Sequence, residues 1–287
     1  MISAKSKVSD LERVMRRFLL SVVMCAAVSA AQAADLSDLP ILRGGYTDGL
    51  TSKVNWQGVY VGGQGAVGTS DMNFTGATQS VAQHLLSGTA IEAFGGTAEW
   101  PLGGKVSVHG NGIGGFVGYN SQWEDVVLGV EFNYAHGNFG GSETDSMSRF
   151  FNAGGGYTDS VTYQSVASMK ISDMATLRAR AGYAWGVFLP YLFGGVALGQ
   201  ADIIRTAHIF GDQVNPNAAP GFTDVPFDLL ATDAKNSHLI YGYSGGLGVD
   251  VMLISCLFLR AEWEYVRFTD SIDTNVNTVK VGLGYKF

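Results

Sequence analysis

Runs in which apolar residues take every second position recur along this chain. Between 126 and 136, Leu128, Val130, Phe132 and Tyr134 alternate with Gly129, Glu131, Asn133 and Ala135. Between 172 and 185, Leu177, Ala179, Ala181 and Tyr183 alternate with Thr176, Arg178, Arg180 and Gly182. Between 256 and 268, Leu257, Leu259, Ala261, Trp263 and Tyr265 alternate with Phe258, Arg260, Glu262, Glu264 and Val266. Near the end, Val279, Val281, Leu283, Tyr285 and Phe287 alternate with Lys280, Gly282, Gly284 and Lys286. A period of two sorts each set onto one face of a strand. Four more segments have strand character: 54–69, 111–120, 187–200 and 238–253. Glycine is so frequent in 54–69, 187–200 and 238–253 that their facing stays open. Glycine is poor in ordinary strands, but in a small barrel it relieves crowding in the lumen and lets strands bend.

Charged and small residues share one face of these strands and large apolar residues the other. A soluble sheet would bury the apolar face, whereas a barrel in a lipid bilayer turns it outward. The eight segments match the roughly 9–11 residues of a tilted membrane-crossing strand, or exceed it. Short turns are expected at Ser121-Gln122, Trp185-Gly186 and Ile254-Ser255. Connections of about 40, 35 and 36 residues are expected at 70–110, 137–171 and 201–237, with a short one at 269–275. Long and short connections alternate, as in barrels with periplasmic turns and external loops. The expected fold is all-β: an eight-stranded antiparallel transmembrane β-barrel with long external loops, spanning 54–287, both chain ends in the periplasm.

Composition fits this picture. Only 15% of the 287 residues are charged and 39 are glycine, against about a quarter charged in soluble domains. The mean hydropathy of +0.14 argues against a bundle of membrane helices. One apolar run, Phe18 to Val28, follows Arg16-Arg17 and leads to Ala31-Gln32-Ala33. That is the order of a cleaved export signal over 1–33, cut after Ala33, with Ala31 and Ala33 as the small residues of the site. Met15 makes a better start than Met1. Residues 34–53 read as a loose periplasmic lead-in. Cys25 falls in the export signal, which leaves Cys256 alone and no internal disulfide. Loss of 1–33 removes five basic and two acidic groups, taking the net charge from −7 to about −10. Such a chain offers nucleic acid no basic footprint.

Four stretches carry a resemblance. They are Trp56-Gln57-Gly58-Val59-Tyr60-Val61-Gly62-Gly63, Gly114-Gly115-Phe116-Val117-Gly118-Tyr119-Asn120, Pro190-Tyr191-Leu192-Phe193-Gly194-Gly195-Val196-Ala197 and the last strand. Together they resemble the small eight-stranded outer-membrane barrels of Gram-negative bacteria, OmpA- or opacity-like and often filed as the porin family. The resemblance covers the chain apart from its long connections. Lys280, Gly282, Tyr285 and Phe287 resemble the terminal signal by which such barrels engage the barrel-assembly machinery. The resemblance implies a location in the cell outer membrane, with its lipid as a partner. It does not imply one activity, since relatives are described as envelope-stabilising proteins, adhesins, haemin binders and weak pores.

The inward faces carry Glu131, Arg178, Arg180, Arg260, Glu262, Glu264, Lys280 and Lys286, with Asp250 as a further candidate. Charges of both signs inside a narrow barrel are expected to pair, since an unpaired buried charge is very costly. One reading is a polar plug that holds the barrel shut. Another is a narrow ion path that opens when pairs rearrange.

Catalysis has little support. The histidines His84, His109, His136, His208 and His238 are scattered, and Ser107 precedes His109 in the wrong order for a His-x-Ser lipase motif. No metal set or cofactor is expected, and Gly154-Gly155-Gly156 lacks the Lys-Ser/Thr of a phosphate loop. Aromatics in the long connections are Phe74, Phe94, Trp100, Phe150, Phe151, Tyr157, Phe210, Phe222 and Phe227. They either pack the loops together or anchor a host or surface ligand such as haem. Trp123, Trp185, Trp263 and Tyr134 suit the aromatic girdles. The reading is a non-catalytic surface protein with a role in envelope integrity and surface contact. The alternatives are a narrow porin and a loop-mediated adhesin or haem binder.

Overall fold

The computed structural model describes residues 54–219, 221, 223–270 and 272–287. The expected export signal, with Met15, Ala31 and Ala33, the lead-in 34–53 and Phe222 lie outside them. Eight strands, β1 (Gly58–Asn73), β2 (Lys105–Trp123), β3 (Val126–Gly154), β4 (Tyr157–Tyr183), β5 (Phe188–Val214), β6 (Asp224–Ile254), β7 (Leu257–Phe268) and β8 (Asp273–Lys286), run antiparallel in chain order. Pairing of β1 with β8, from Tyr60↔Lys286 to Asn73↔Asp273, closes the barrel and removes its edges.

The alternation turns out as the pattern requires. Val130, Phe132, Leu177, Leu192, Val279, Val281 and Leu283 are exposed on the outside, while Glu131, Arg178 and Lys280 are buried inside. The glycine-rich strands now have assigned faces, and aromatic rings set them. Tyr60, Gly118 and Glu131 are register partners in one row across β1, β2 and β3. A Cβ on Gly118 would lie 2.3 Å from the Tyr60 hydroxyl, so glycine there lets the ring cross β2 to reach Glu131. Phe258 lies likewise over its partner Gly284, where a Cβ would be 2.2 Å from the ring. A ring over a cross-strand glycine restores packing that the glycine lacks.

The turn expected at Ser121-Gln122 falls three residues later, at Glu124-Asp125. Ser121 and Gln122 remain in β2, and Glu124 takes the left-handed conformation (φ 54°) that reverses the chain.

The long connections differ more. Instead of loops at 137–171 and 201–237, β3 and β4 pair up to Gly154↔Tyr157, and β5 and β6 up to Val214↔Asp224. β4 and β5 stay paired to Thr158↔Val214, so four strands leave the barrel as one sheet. The ladders shift register at one level, between His136 and Phe139, between Ile171 and Asp173, and between Ala201 and Ile203. Bulges of this kind sit at barrel rims and re-aim the strands. We call this level the seam.

Above the seam β2 no longer pairs with β3, nor β7 with β6. The sheet therefore has two free edges. Pro226, Asp224, Asp228 and Lys235 on the β6 edge disfavour pairing with a foreign strand.

The first connection holds two helices, α1 (Gln79–Leu86) and α2 (Ala90–Gly95), then a 3-10 turn (Thr97–Glu99). Val81, Ala82, Leu85 and Leu86 form one helical face. The Thr89 hydroxyl caps α2 by accepting from the Glu92 amide at 3.3 Å, and Gly96 (φ 51°) ends it. The helices cover the inward face of the protruding sheet, with Val81, Leu86, Ile91 and Trp100 against Val161, Tyr163, Ala207 and Ile209.

Candidate functional site

The lumen is filled in layers. Nearest the short turns lie Trp56, Tyr60, Phe116, Leu189, Met252 and Phe258. Nearest the seam lie Met72, Phe74, Phe139, Met169, Ile171, Ile203, Phe268 and Val276. Between these apolar layers sits a connected network of charge.

Its hub is the Glu131 carboxylate. Oε1 accepts from Arg178 Nε (3.1 Å) and Nη2 (2.5 Å), and Oε2 from Tyr60 OH (2.7 Å), Arg260 Nη1 (2.8 Å) and Arg180 Nη1 (3.2 Å). Arg178 also donates to both oxygens of Glu262, at 2.7 and 2.6 Å, and to Glu264 at 3.3 Å. Tyr191 OH donates to Glu262 at 3.0 Å. Arg260 forks onto Asp250 at 2.8 and 3.0 Å, and Arg180 reaches the same carboxylate at 2.7 Å. Lys280 donates to Glu264 and, at 3.3 Å, to the Asn133 carbonyl oxygen, which also accepts from Gln64.

Four carboxylates thus meet four cations, all of them buried. Arginine suits these positions because its planar fork serves two carboxylates at once. The aromatic residues add faces for the cations: Arg180 lies 3.8 Å from the Tyr191 ring centroid, Arg260 3.9 Å from Phe116 and Arg178 4.0 Å from Phe193.

The inward residues read from alternation, Glu131, Arg178, Arg180, Arg260, Glu262, Glu264 and Lys280, stand in this one network, and Asp250 stands with them. Lys286 does not: it is at the mouth beside the short turns, donating to the Gln57 carbonyl at 3.2 Å. Alternation alone did not reveal Tyr60, Tyr191, Asn133 or Gln64. The inward phase of β3 included Asn133, but its neutral amide gave no cue. Tyr60 and Tyr191 sit on glycine-rich strands whose phase was open.

Of the terminal-strand residues, Lys280 and Gly282 face the lumen and Tyr285 and Phe287 face outward, their ring centroids 5.1 Å apart. Ser107 donates to Asp71 at 2.5 Å rather than to His109. Among the described residues no cluster of His, Cys, Asp and Glu is placed to hold a metal ion. Of the connection aromatics, Phe74 and Trp100 are buried, while Phe94 and Phe150 are exposed at the top of the sheet. Trp123, Trp185, Trp263 and Tyr134 all face outward.

A closed eight-stranded barrel with an apolar outer band and a charged, packed interior defines an outer-membrane barrel protein. The chain belongs to the outer membrane protein beta-barrel domain family, whose model matches residues 18–287. Its location is the cell outer membrane. It is similar to the 25 kDa outer-membrane immunogenic protein of Brucella ovis, at 26% identity over 174 residues, covering 61% of this chain and 62% of that one. The Brucella abortus protein of the same name is 24% identical over 184 residues, 61% of this chain and 64% of the relative. The match therefore spans less than two thirds of these relatives. Among solved structures it resembles Ail, the attachment invasion locus protein of Yersinia pestis (TM-score 0.34, 12% identity, 80% of this chain and 99% of that chain). It also resembles OprG of Pseudomonas aeruginosa (TM-score 0.33, 14% identity, 80% and 96%).

Proposed function

We propose that this protein is a plugged barrel that anchors a surface-exposed sheet, with a structural role in the envelope, a contact role outside it and no catalysis. The observation that carries the reading is the Glu131 hub, whose two oxygens accept from Tyr60 and three arginines between two apolar layers. Ions crossing such a lumen would have to break buried charge pairs and pass both layers, with nothing to replace their hydration. The sheet above the seam gives the protein a surface outside the membrane. The relatives' name, outer-membrane immunogenic protein, supports exposure of that surface to a host.

The test is single-channel recording of the refolded protein in a planar bilayer, beside a variant with Arg178→Ala and Arg180→Ala. The expected result is a silent bilayer for the parent chain, with folding shown by a gel shift between unboiled and boiled samples. Steady, discrete conductance in the parent that changes in the variant would replace this reading with a narrow pore.

A further inference from the structure

One stretch of the outer wall departs from the even apolar band. At the level of the seam a groove of about 790 Å³ opens outward on β1, β2, β3, β4 and β8. That is within the range of small-molecule sites, about 300–1,000 Å³. Its floor is Gly65, where an added Cβ would meet nothing within 4 Å, and its apolar walls include Ile113, Val279 and Val281. His136 and Lys170 line it too, where the apolar band gives way to polar residues.

The two ends differ in chemistry. The His136 side chain is 63% exposed, and its Nδ1 lies 2.8 Å from Asp173 Oδ1, which orients the ring. The same Asp173 oxygen accepts from Tyr134 OH at 2.5 Å, and its other oxygen accepts from Ser172 at 2.7 Å. Asp173 is therefore occupied by local donors. Lys170 is exposed and makes no ion pair among the described residues. A groove with apolar walls at one end, the amides of Asn111 and Asn138 along it and a cation at the other end matches a molecule with an acyl chain and an anionic head.

We propose that this groove binds one anionic, phosphate-bearing lipid of the outer leaflet, its acyl chain over Gly65 and its phosphate on Lys170 and His136. The site is separate from the lumen and does not depend on whether the lumen conducts. Lipid faces all sides of a barrel, and at this place a hollow and an unpaired cation adjoin.

The full chain, folded in phosphatidylcholine nanodiscs containing phosphorylated lipid A, is released into mild detergent and weighed by native mass spectrometry. The parent is expected to retain one lipid A. Lys170→Glu and Gly65→Leu are each expected to lower retention about tenfold, a change of roughly 1.4 kcal/mol. Dephosphorylated lipid A is expected to fall by a similar factor. Gly194→Leu, on the lipid face of β5, is the control and is expected to retain the lipid. All variants are first shown to fold by the gel shift. His136→Gln supplies a second head-group variant should Lys170→Glu not fold. Equal retention by the parent and the head-group variant would overturn the proposal. So would equal loss in Gly65→Leu and Gly194→Leu, which would mark a general lipid preference. A two-chain species lost in Gly65→Leu would instead assign the groove to a second copy.

Discussion

Arg178 and Glu131 are direct cross-strand partners on β4 and β3, and Arg178 Nη2 lies 2.5 Å from Glu131 Oε1 with both side chains sealed from solvent. Register and charge thus fix each other. A slip of one residue in either strand would turn its own charge out to lipid and leave the partner's buried alone. Removing one partner leaves the other buried and uncompensated, which costs about 3–5 kcal/mol. Arg178→Ala is expected to lower the unfolding free energy by that order, measured by urea titration in lipid vesicles. A loss below about 1 kcal/mol, the worth of a surface pair, would show that the network is hydrated.

The row Tyr60–Gly118–Glu131 depends on the missing side chain at its centre. Gly118→Ala is expected to push the Tyr60 ring away and break its bond to Glu131. The cost is at least the 1–3 kcal/mol of a lost buried hydrogen bond, roughly. Gly63→Ala on the outer wall, where a Cβ comes no nearer than 3.9 Å to any atom, is expected to be neutral. The two unfolding midpoints side by side check this, and equal midpoints would refute it.

Above the seam, Arg205 on β5 pairs with Asp233 on β6 and donates to the Ala77 carbonyl at 3.2 Å and to Ser80 at 3.3 Å. The hydrogen bond from Arg205 holds the Asp233 carboxyl below its ordinary value. Its folded value is thus depressed. The stabilisation it gives is present above the unfolded value and is lost as pH falls through the folded one. The protection of α1 amides, taken relative to their intrinsic exchange at each pH, is expected to hold from neutral pH down to the ordinary carboxylate range and to fall below it. Asp233→Asn should show the lowered protection already at neutral pH. Identical profiles for the two chains would refute the link.

The protruding sheet and the barrel share strands but bury separate apolar clusters. Deleting residues 144–166 and 206–232, with short turns in their place, is expected to leave the gel shift intact. It strips the cover from Val81, Leu86 and Ile91, so the 74–104 segment should become sensitive to protease. Loss of the gel shift would show instead that the sheet is needed to fold the barrel.

The barrel was legible because inside and outside differ at every second residue of β3, β4, β7 and β8. The expected strand starts at Ser172 and His238, and the ends at His136 and Gln200, all fall at the seam. The cause is physical. On β4 the inward residues are even-numbered below the bulge (Met174, Thr176, Arg178) and odd-numbered above it (Ile171, Met169, Ala167). On β6 the phase also flips, at Asn236-Ser237, where Ser237 has φ 53°. A strict period of two cannot be followed through such a shift, so the continuing strands read as loops. The outer face of the sheet is also rich in serine and threonine, such as Ser148, Thr162, Thr206 and Thr232. That removes the apolar contrast on which the pattern depends. The short helix was readable in principle, from the spacing of Val81, Ala82, Leu85 and Leu86.

Between Ile171 and Thr158, β4 runs on past the seam. At roughly 3.3 Å a residue that is about 40 Å of strand, more than the roughly 30 Å hydrocarbon core below it. Mechanically the sheet is a mast longer than its footing. A sideways load at its tip acts through a long lever on the register shifts at Ser172 and Asn236-Ser237, while the charge-locked barrel beneath holds its shape. Under such a load the seam is the joint that yields first.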